Sequence, residues 1–153
     1  MAHQHSVLPA DNAAVTTHLT LIQGIINRLA NNSASCKTWC ITLIAALVGL
    51  AGAIHVPGVI TFGLVPVIVF GIVDSLYLAQ EKAYRNLYTS MVALVPVGRY
   101  STADVYKLRA PIELKEFFLA LFSWSVLPVY WLLIAFYLLA AWRGWLDVIA
   151  GAR

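Results

Sequence analysis

FGIVDSLYLAQEKAYRNLY, residues 70–88, begins as an apolar helix suited to lipid and ends as a charged, tyrosine-rich one. Asp74 falls where the apolar part should still lie in lipid, in a chain with only 7 acidic residues. On a helix, Asp74, Tyr77, Glu81, Arg85 and Tyr88 share one stripe, and Glu81 and Arg85 stand i, i+4 in the favourable order. A carboxylate about one turn inside a bilayer is costly unless it meets water, a partner or a hydrogen-bond donor. Asp74 therefore has two readings. In one it accepts from a nearby hydroxyl or amide and fixes helix packing. In the other, copies from several subunits ring the inner mouth of an opening. Gly63, Pro66, Val67 and Phe70, upstream on the same face, would form an apolar lining that closes by dewetting. Such a constriction with an acidic mouth suits a pore that is shut at rest and passes cations when forced open.

The rest of the chain agrees with a membrane setting. Of its 153 residues 61% are hydrophobic and 11% charged, with a mean hydropathy of +0.79, whereas soluble domains carry about 25% charged residues. Thr38 to Val73 contains no Asp, Glu, Lys or Arg, which is too long for one span of about 20 residues. Pro57 and Gly58 in HVPG, residues 55–58, supply the turn. The expectation is a first span over about 38–55 and a second over about 58–78. A third uncharged run, Phe117 to Trp142, is about 39 Å long as a helix. It is expected to span once with tilt, with Pro128 as a possible kink. The expected parts are an N-terminal segment 1–37, a transmembrane hairpin 38–80, a cytoplasmic segment 81–115 that continues the second span, and a third span with a tail over 116–153.

Basic residues set the orientation. Lys82, Arg85, Arg99, Lys107, Arg109 and Lys115 follow the second span, Arg28 and Lys37 precede the first, and the 55–58 turn has none. The N-terminus and residues 81–115 should thus face the cytoplasm of a bacterial plasma membrane, and the C-terminus the outside. Trp142 and Trp145 fit an aromatic belt at that outer end. The N-terminus has no basic n-region, apolar core or cleavage site of a signal peptide.

Val15, Leu19, Ile22, Ile26 and Leu29 recur at helical spacing and predict an amphipathic helix. With only Arg28 on the helix, packing against a neighbouring helix or subunit is favoured over lying on the membrane surface. Asn31–Ser33 is expected to break or cap this helix before the first span. Ala45, Gly49 and Ala53 form a small-residue ladder, expected to contact the second span. Ser123, Tyr130 and Tyr137 repeat every seven residues above Glu116 and predict a helix–helix seam. Cys36 and Cys40 read as free thiols that pack as small apolar residues.

The sequence offers little for catalysis. His3, His5, His18 and His55 are scattered, Ser123 and Ser125 have no adjacent base, and there is no P-loop, GxGxxG or HExxH. Asp104, Glu113 and Glu116 stand among basic residues and read as solvated charge. The net charge of +3 suits a segment beside anionic lipid better than nucleic acid. No enzyme activity, cofactor or metal is expected.

INRLANNSASCKTW, residues 26–39, followed by VPVIVFGIVDSLYLAQEKAYRNLY, residues 65–88, resembles a family of small bacterial multi-pass membrane proteins. More loosely, the two stretches resemble the SLATT-type two-transmembrane effector modules. The likeness rests on Asn27, Arg28, Asn32, Ser33, Lys37 and Trp39, then on Pro66, Phe70, Asp74, Tyr77, Leu78, Glu81, Arg85, Leu87 and Tyr88. Modules of that kind sit beside nucleotide-signal or TIR-type genes in antiphage defence and are thought to perforate the membrane. The resemblance implies a membrane effector, opened by a cytoplasmic partner protein or a nucleotide signal. The expectation is thus an all-α, three-span protein in a lipid bilayer, a homo-oligomer, acting as a gated pore or membrane disruptor. The alternative is a non-conducting anchor or regulatory subunit for a soluble partner enzyme.

Overall fold

The computed structural model describes residues 6–54 and 62–142, and for Phe136 and residues 140–142 the backbone alone. Four α-helices follow one another: α1, Ala13–Ile54; α2, Leu64–Leu94; α3, Leu114–Leu121; and α4, Leu127–Trp142. A 3-10 turn, Asp104–Tyr106, lies between α2 and α3. Among the described residues the only β feature is an isolated antiparallel bridge between Val7 and Ser101, so the protein is all-helical. The 55–58 turn, the expected start of the second span and Trp145 lie outside the described residues.

α1 is one helix of 42 residues, about 63 Å long, where a break at Asn31–Ser33 was expected. It starts on Asn12, whose side-chain oxygen accepts from the Ala14 N–H at 2.8 Å. It then runs through the polar stretch because those side chains bond within the helix or across to α2. Ser35, Thr38 and Thr42 donate to the carbonyls of Asn31, Ala34 and Thr38, four residues back. No Gly or Pro interrupts that part. The predicted amphipathic helix and first span are thus a single rod.

α2 also passes without a break from its apolar into its charged half, ending at Leu94. Pro66 stands in its first turn, where an N–H would have no partner in the helix. The chain reverses after Leu94 with Gly98 at φ 62°, a left-handed conformation that glycine adopts without strain.

The third apolar run is not one helix. It breaks at residues 122–126 between α3 and α4. Pro128 is the physical reason: it has no N–H for the Trp124 carbonyl, and its ring crowds that same carbonyl. At the second position of α4 it is tolerated, so it starts a helix rather than kinking one. The seven-residue repeat is broken with it, since Ser123 lies in the break and Tyr130 in the helix beyond.

α1 and α2 run antiparallel. Gln23 bonds to Tyr88 and Lys37 pairs with Asp74; each pair of residue numbers totals 111, so one register holds over both contacts. Two clusters divide the molecule. Near the polar end, Val15, Ile22, Met91 and Tyr100 form a core joined by Leu19, Ile26, Leu87 and Tyr88. The amphipathic stripe of α1 is therefore covered by the second half of α2. Near the apolar end, Cys40, Val67, Leu78, Ala79, Ala120, Val126 and Tyr130 form the other, where α3 and α4 pack on α2.

Both long helices are long and apolar enough to cross a membrane, and in the most apolar window of α1 only 11% of residues are buried. The core helix of a water-soluble domain would be mostly covered. Ala45, Gly49 and Ala53 belong to that uncovered surface. Cys40, Ile44 and Ala51 turn inward, and residue 58, level with Ala53 in the register of the helical pair, lies outside the described residues.

At Gly71 a Cβ would meet Tyr130 Cγ at 3.4 Å, so the backbone of α2 and the ring of α4 are in direct contact. Gly71→Ala should melt within a few degrees of wild type in mild detergent, because that distance is ordinary van der Waals contact. Gly71→Leu should release α4, which limited proteolysis would show as a new cleavage near residues 122–126.

Candidate functional site

Asp74 is fully buried where α1 and α2 face one another. Its Oδ1 accepts from Ser33 Oγ at 2.5 Å. Lys37 Nζ stands 2.6 Å from Oδ2 and donates to Ser33 Oγ at 3.0 Å. Oδ2 has no aligned hydrogen bond, so the ammonium balances it as a point charge. Ser33 and Lys37 are four apart on α1 and lie one above the other on the same face. Tyr130 from α4 places its buried phenol near the same carboxylate, also without an aligned hydrogen bond. Polar groups from three helices thus converge on one acid.

This is the geometry of a packing carboxylate rather than one presented on a free face. Val67 and Gly63 on the same stripe are buried, and Pro66 and Phe70 are partly buried; Val67 and Phe70 belong to the apolar core. A channel lined by that stripe would require the helices to part. The remaining stripe residues lie further along α2. Tyr77 is half-buried, and Glu81 is buried and paired with the exposed Arg85 at 2.6 Å. A shallow groove of about 510 Å³ opens there, lined by Gln23, Ile26, Asn27, Arg85, Tyr88 and Thr89. In the third run, Ser123 Oγ is buried without a partner, while Tyr137 is half-buried and Glu116 closes a capping box with Glu113 at the start of α3. Cys36 and Cys40 are buried free thiols beside the Asp74 site.

The polar end carries a second network. His18 is buried; Nε2 bonds to the Lys107 carbonyl at 3.1 Å, and Nδ1 bonds to the Tyr100 hydroxyl. A carbonyl only accepts, so Nε2 carries a proton, and in the neutral ring Tyr100 then donates to Nδ1. Leu8 N and Thr102 N tie the N-terminal segment to residues 100–102. Asp104, expected as solvated charge, is instead buried. It accepts from Ser101 N at 2.9 Å and Ser101 Oγ at 2.7 Å, and pairs with Lys107 Nζ at 2.5 Å. The Lys107 contact, reinforced by Ser101 against the opposing effect of burial, holds the Asp104 carboxyl down to about 2. Burial, and then the nearby Asp104 charge, push the Tyr100 phenol up.

Sequence reasoning picked out Asp74 but not its partners. The signal was available: Lys37 is the last charge before the uncharged run, and in a hairpin turning near residue 56 it stands level with Asp74. His18 was passed over as scattered, although it lies three residues after Val15 and four before Ile22, on the buried stripe. No group of three metal-ligating side chains occurs among the described residues. Compared with family models, curated proteins and solved structures, the chain matches none.

The Asp74 site predicts unequal effects of its two charges. Lys37→Met leaves a buried acid unpaired and should cost about 3 kcal/mol. Asp74→Asn keeps an acceptor for Ser33 and frees Lys37, which is 20% exposed, to reach water, so it should cost clearly less. Lys37→Met combined with Asp74→Leu should recover most of the loss. Melting of wild type, Lys37→Met, Asp74→Leu and the double variant in one detergent completes the cycle, and additive losses would show that the pair is not coupled.

Asp104 sets an acid limit. Its folded-state carboxyl lies below the unfolded value of about 3.9, so its contribution is present above that value and is lost as pH falls toward 2. Asp104→Ala should destabilise by up to about 2 kcal/mol at neutral pH. The difference between variant and wild type should vanish as pH approaches 2, measured by near-UV circular dichroism melts.

Proposed function

We propose that this chain is a multi-pass protein of a bacterial plasma membrane, with the N-terminus and the polar ends of α1 and α2 in the cytoplasm. In this reading it acts as an effector of a defence system. Several copies open or disrupt the bilayer when α1 and α2 separate at Lys37 and Asp74. The observation that carries the reading is the division of one helical pair into two halves. The apolar half leaves large side chains such as Ile41, Leu50 and Ile54 exposed, as a lipid-facing surface does. The polar half is sealed by its own core and hydrogen bonds. Between them lies the buried Asp74–Lys37 pair, where parting the helices would carry charge and water to the edge of the apolar layer.

The resemblance of residues 26–39 and 65–88 to two-span effectors supports this function, because those stretches meet across the pair: Ser33 and Lys37 from the first, Asp74 from the second. A cytoplasmic protein or nucleotide signal acting on the folded polar end would be the trigger. A non-conducting anchor is favoured by one observation: the stripe that would line a channel is packed inside the chain.

Membrane potential separates the two. Cells producing the wild-type chain should depolarise on strong induction, and Lys37→Met, with its latch weakened, should depolarise them at lower induction. The double variant Lys37→Met/Asp74→Leu should insert normally and be less active. Normal potential in cells that demonstrably hold Lys37→Met in the membrane would establish the anchor instead.

A further inference from the structure

α3 shows a surface unlike that of a helix in water. Its inward face is Phe117 and the fully buried Ala120, with Glu116 engaged in the capping box. Its outward face carries Leu114, Phe118 and Leu119, 52–72% exposed, with Lys115 among them. Phe122 and Trp124 in the following break are 59% and 90% exposed. Phe122 stacks on Trp131 at 5.7 Å, which makes the break an ordered aromatic ledge. An apolar face of this density has no stable contact with water alone.

Its level in the molecule follows from the packing. Ala120 shares a cluster with Leu78 and Ala79, while Tyr130 lies on Gly71. Leu121 and Val126, at the two edges of the break, line a groove with Gly71 and Ile72, which sets the break within about one helical turn of Asp74 along α2. Lys37 and Trp39, the latter 62% exposed, mark the same level on α1. Two exposed tryptophans and a lysine with a mostly buried stem thus surround the molecule at one height. That combination belongs to the boundary between headgroups and acyl chains, where an indole keeps its ring in the apolar layer and its N–H among polar groups.

Resting on the membrane reading above, we infer that the outward face of α3 and its aromatic ledge are a docking surface for the headgroup layer of a phospholipid bilayer. In this arrangement Phe118, Phe122 and Trp124 seat in the cytoplasmic leaflet, and α3 lies at the interface while α4 enters the acyl region beside α1 and α2. The ledge then fixes the height of the Asp74–Lys37 pair at the membrane boundary. The exposed Arg109 and Lys115 reach the headgroups, and Glu113 is engaged in the capping box with Glu116.

Depth-resolved quenching tests this in the full chain, reconstituted in phosphatidylethanolamine–phosphatidylglycerol vesicles. All but one of the 5 tryptophans are replaced by Phe, leaving Trp124 or Trp39. A third protein carries Val48→Trp as its only tryptophan, roughly 16 Å along α1 from Lys37. Trp124 should lose most of its emission to lipids labelled near the headgroup and little to lipids labelled at the chain end, in parallel with Trp39. Val48→Trp should show the reverse preference. The inference is overturned if Trp124 follows Val48→Trp, which would place the ledge inside a span. It is equally overturned if neither lipid label affects Trp124 while Val48→Trp is quenched, which would mean water or another protein covers the ledge. Should no lipid label quench Val48→Trp, the membrane reading itself falls, and this inference with it.

Discussion

A carboxylate with no exposed surface must be balanced from within the chain, and Asp74 is balanced by one helix. Lys37 supplies the charge and Ser33 the hydrogen bond. That demand sets much else. Two side chains one turn apart on α1 fix where a single residue of α2 can sit, and both helices are unbroken rods. A register imposed at one point therefore holds along the contact, from Gln23–Tyr88 at the polar end to Lys37–Asp74, beyond which Ile44 joins the apolar core. Slipping α2 by one helical turn would move Asp74 about 5 Å from its ammonium and leave it buried and unpaired. The pair contributes little net stability against a well-packed apolar alternative, but it makes other registers expensive.

Residues whose signal is periodic were legible before any coordinates. The apolar stripe of α1, the helical continuation of the second apolar run through Tyr88, and most of the described part of each uncharged run appear as helix. What periodicity cannot show is where a helix stops. Asn31–Ser33 carries the composition of a cap, yet the helix passes through it: no Gly or Pro stops it there, and Ser33 has a partner across the contact. Pro128 shows the opposite. Its apolar surroundings suggest one span, but a missing N–H and a steric clash divide it. Asp74 stood out because a charge in an apolar run is conspicuous; Lys37 did not, because a lysine at the edge of such a run is ordinary. Pairing is a tertiary property, and only the position of the hairpin turn could have put the two side by side. Asp104 was misread for a different reason: its partners Ser101 and Lys107 stand only three residues away on either side, and a charge beside a lysine reads as solvated unless the fold is known to cover it.

The two halves of the helical pair are held by different forces. At the polar end, Val15, Ile22, Met91 and Tyr100 are removed from water, His18 bonds α1 to the segment after α2, and Asp104 ties that segment to itself through Ser101 and Lys107. That end gains from the hydrophobic effect in full. In the proposed bilayer, the apolar end gains nothing from that source, because lipid chains are as apolar as the side chains they would replace. Its cohesion comes from close contacts such as Gly71 with Tyr130, and from whatever the buried charge pair contributes.

It follows which end controls the other. Parting α1 from α2 in lipid exchanges one set of apolar contacts for another, at small cost per residue, until Asp74 and Lys37 must separate. Beyond that point the exposed acid needs water, and in the proposed bilayer the nearest water lies at the boundary beside the polar end of the pair. A ligand that loosens the polar end has no need to act on the apolar helices directly. Because α1 is continuous from Ala13 to Ile54, a tilt imposed around His18 is carried through Lys37 as a lever is carried through its fulcrum. The continuity of α1 through Asn31–Ser33 is thus what would allow a change in the cytoplasmic segment to reach the membrane without any flexible joint between them.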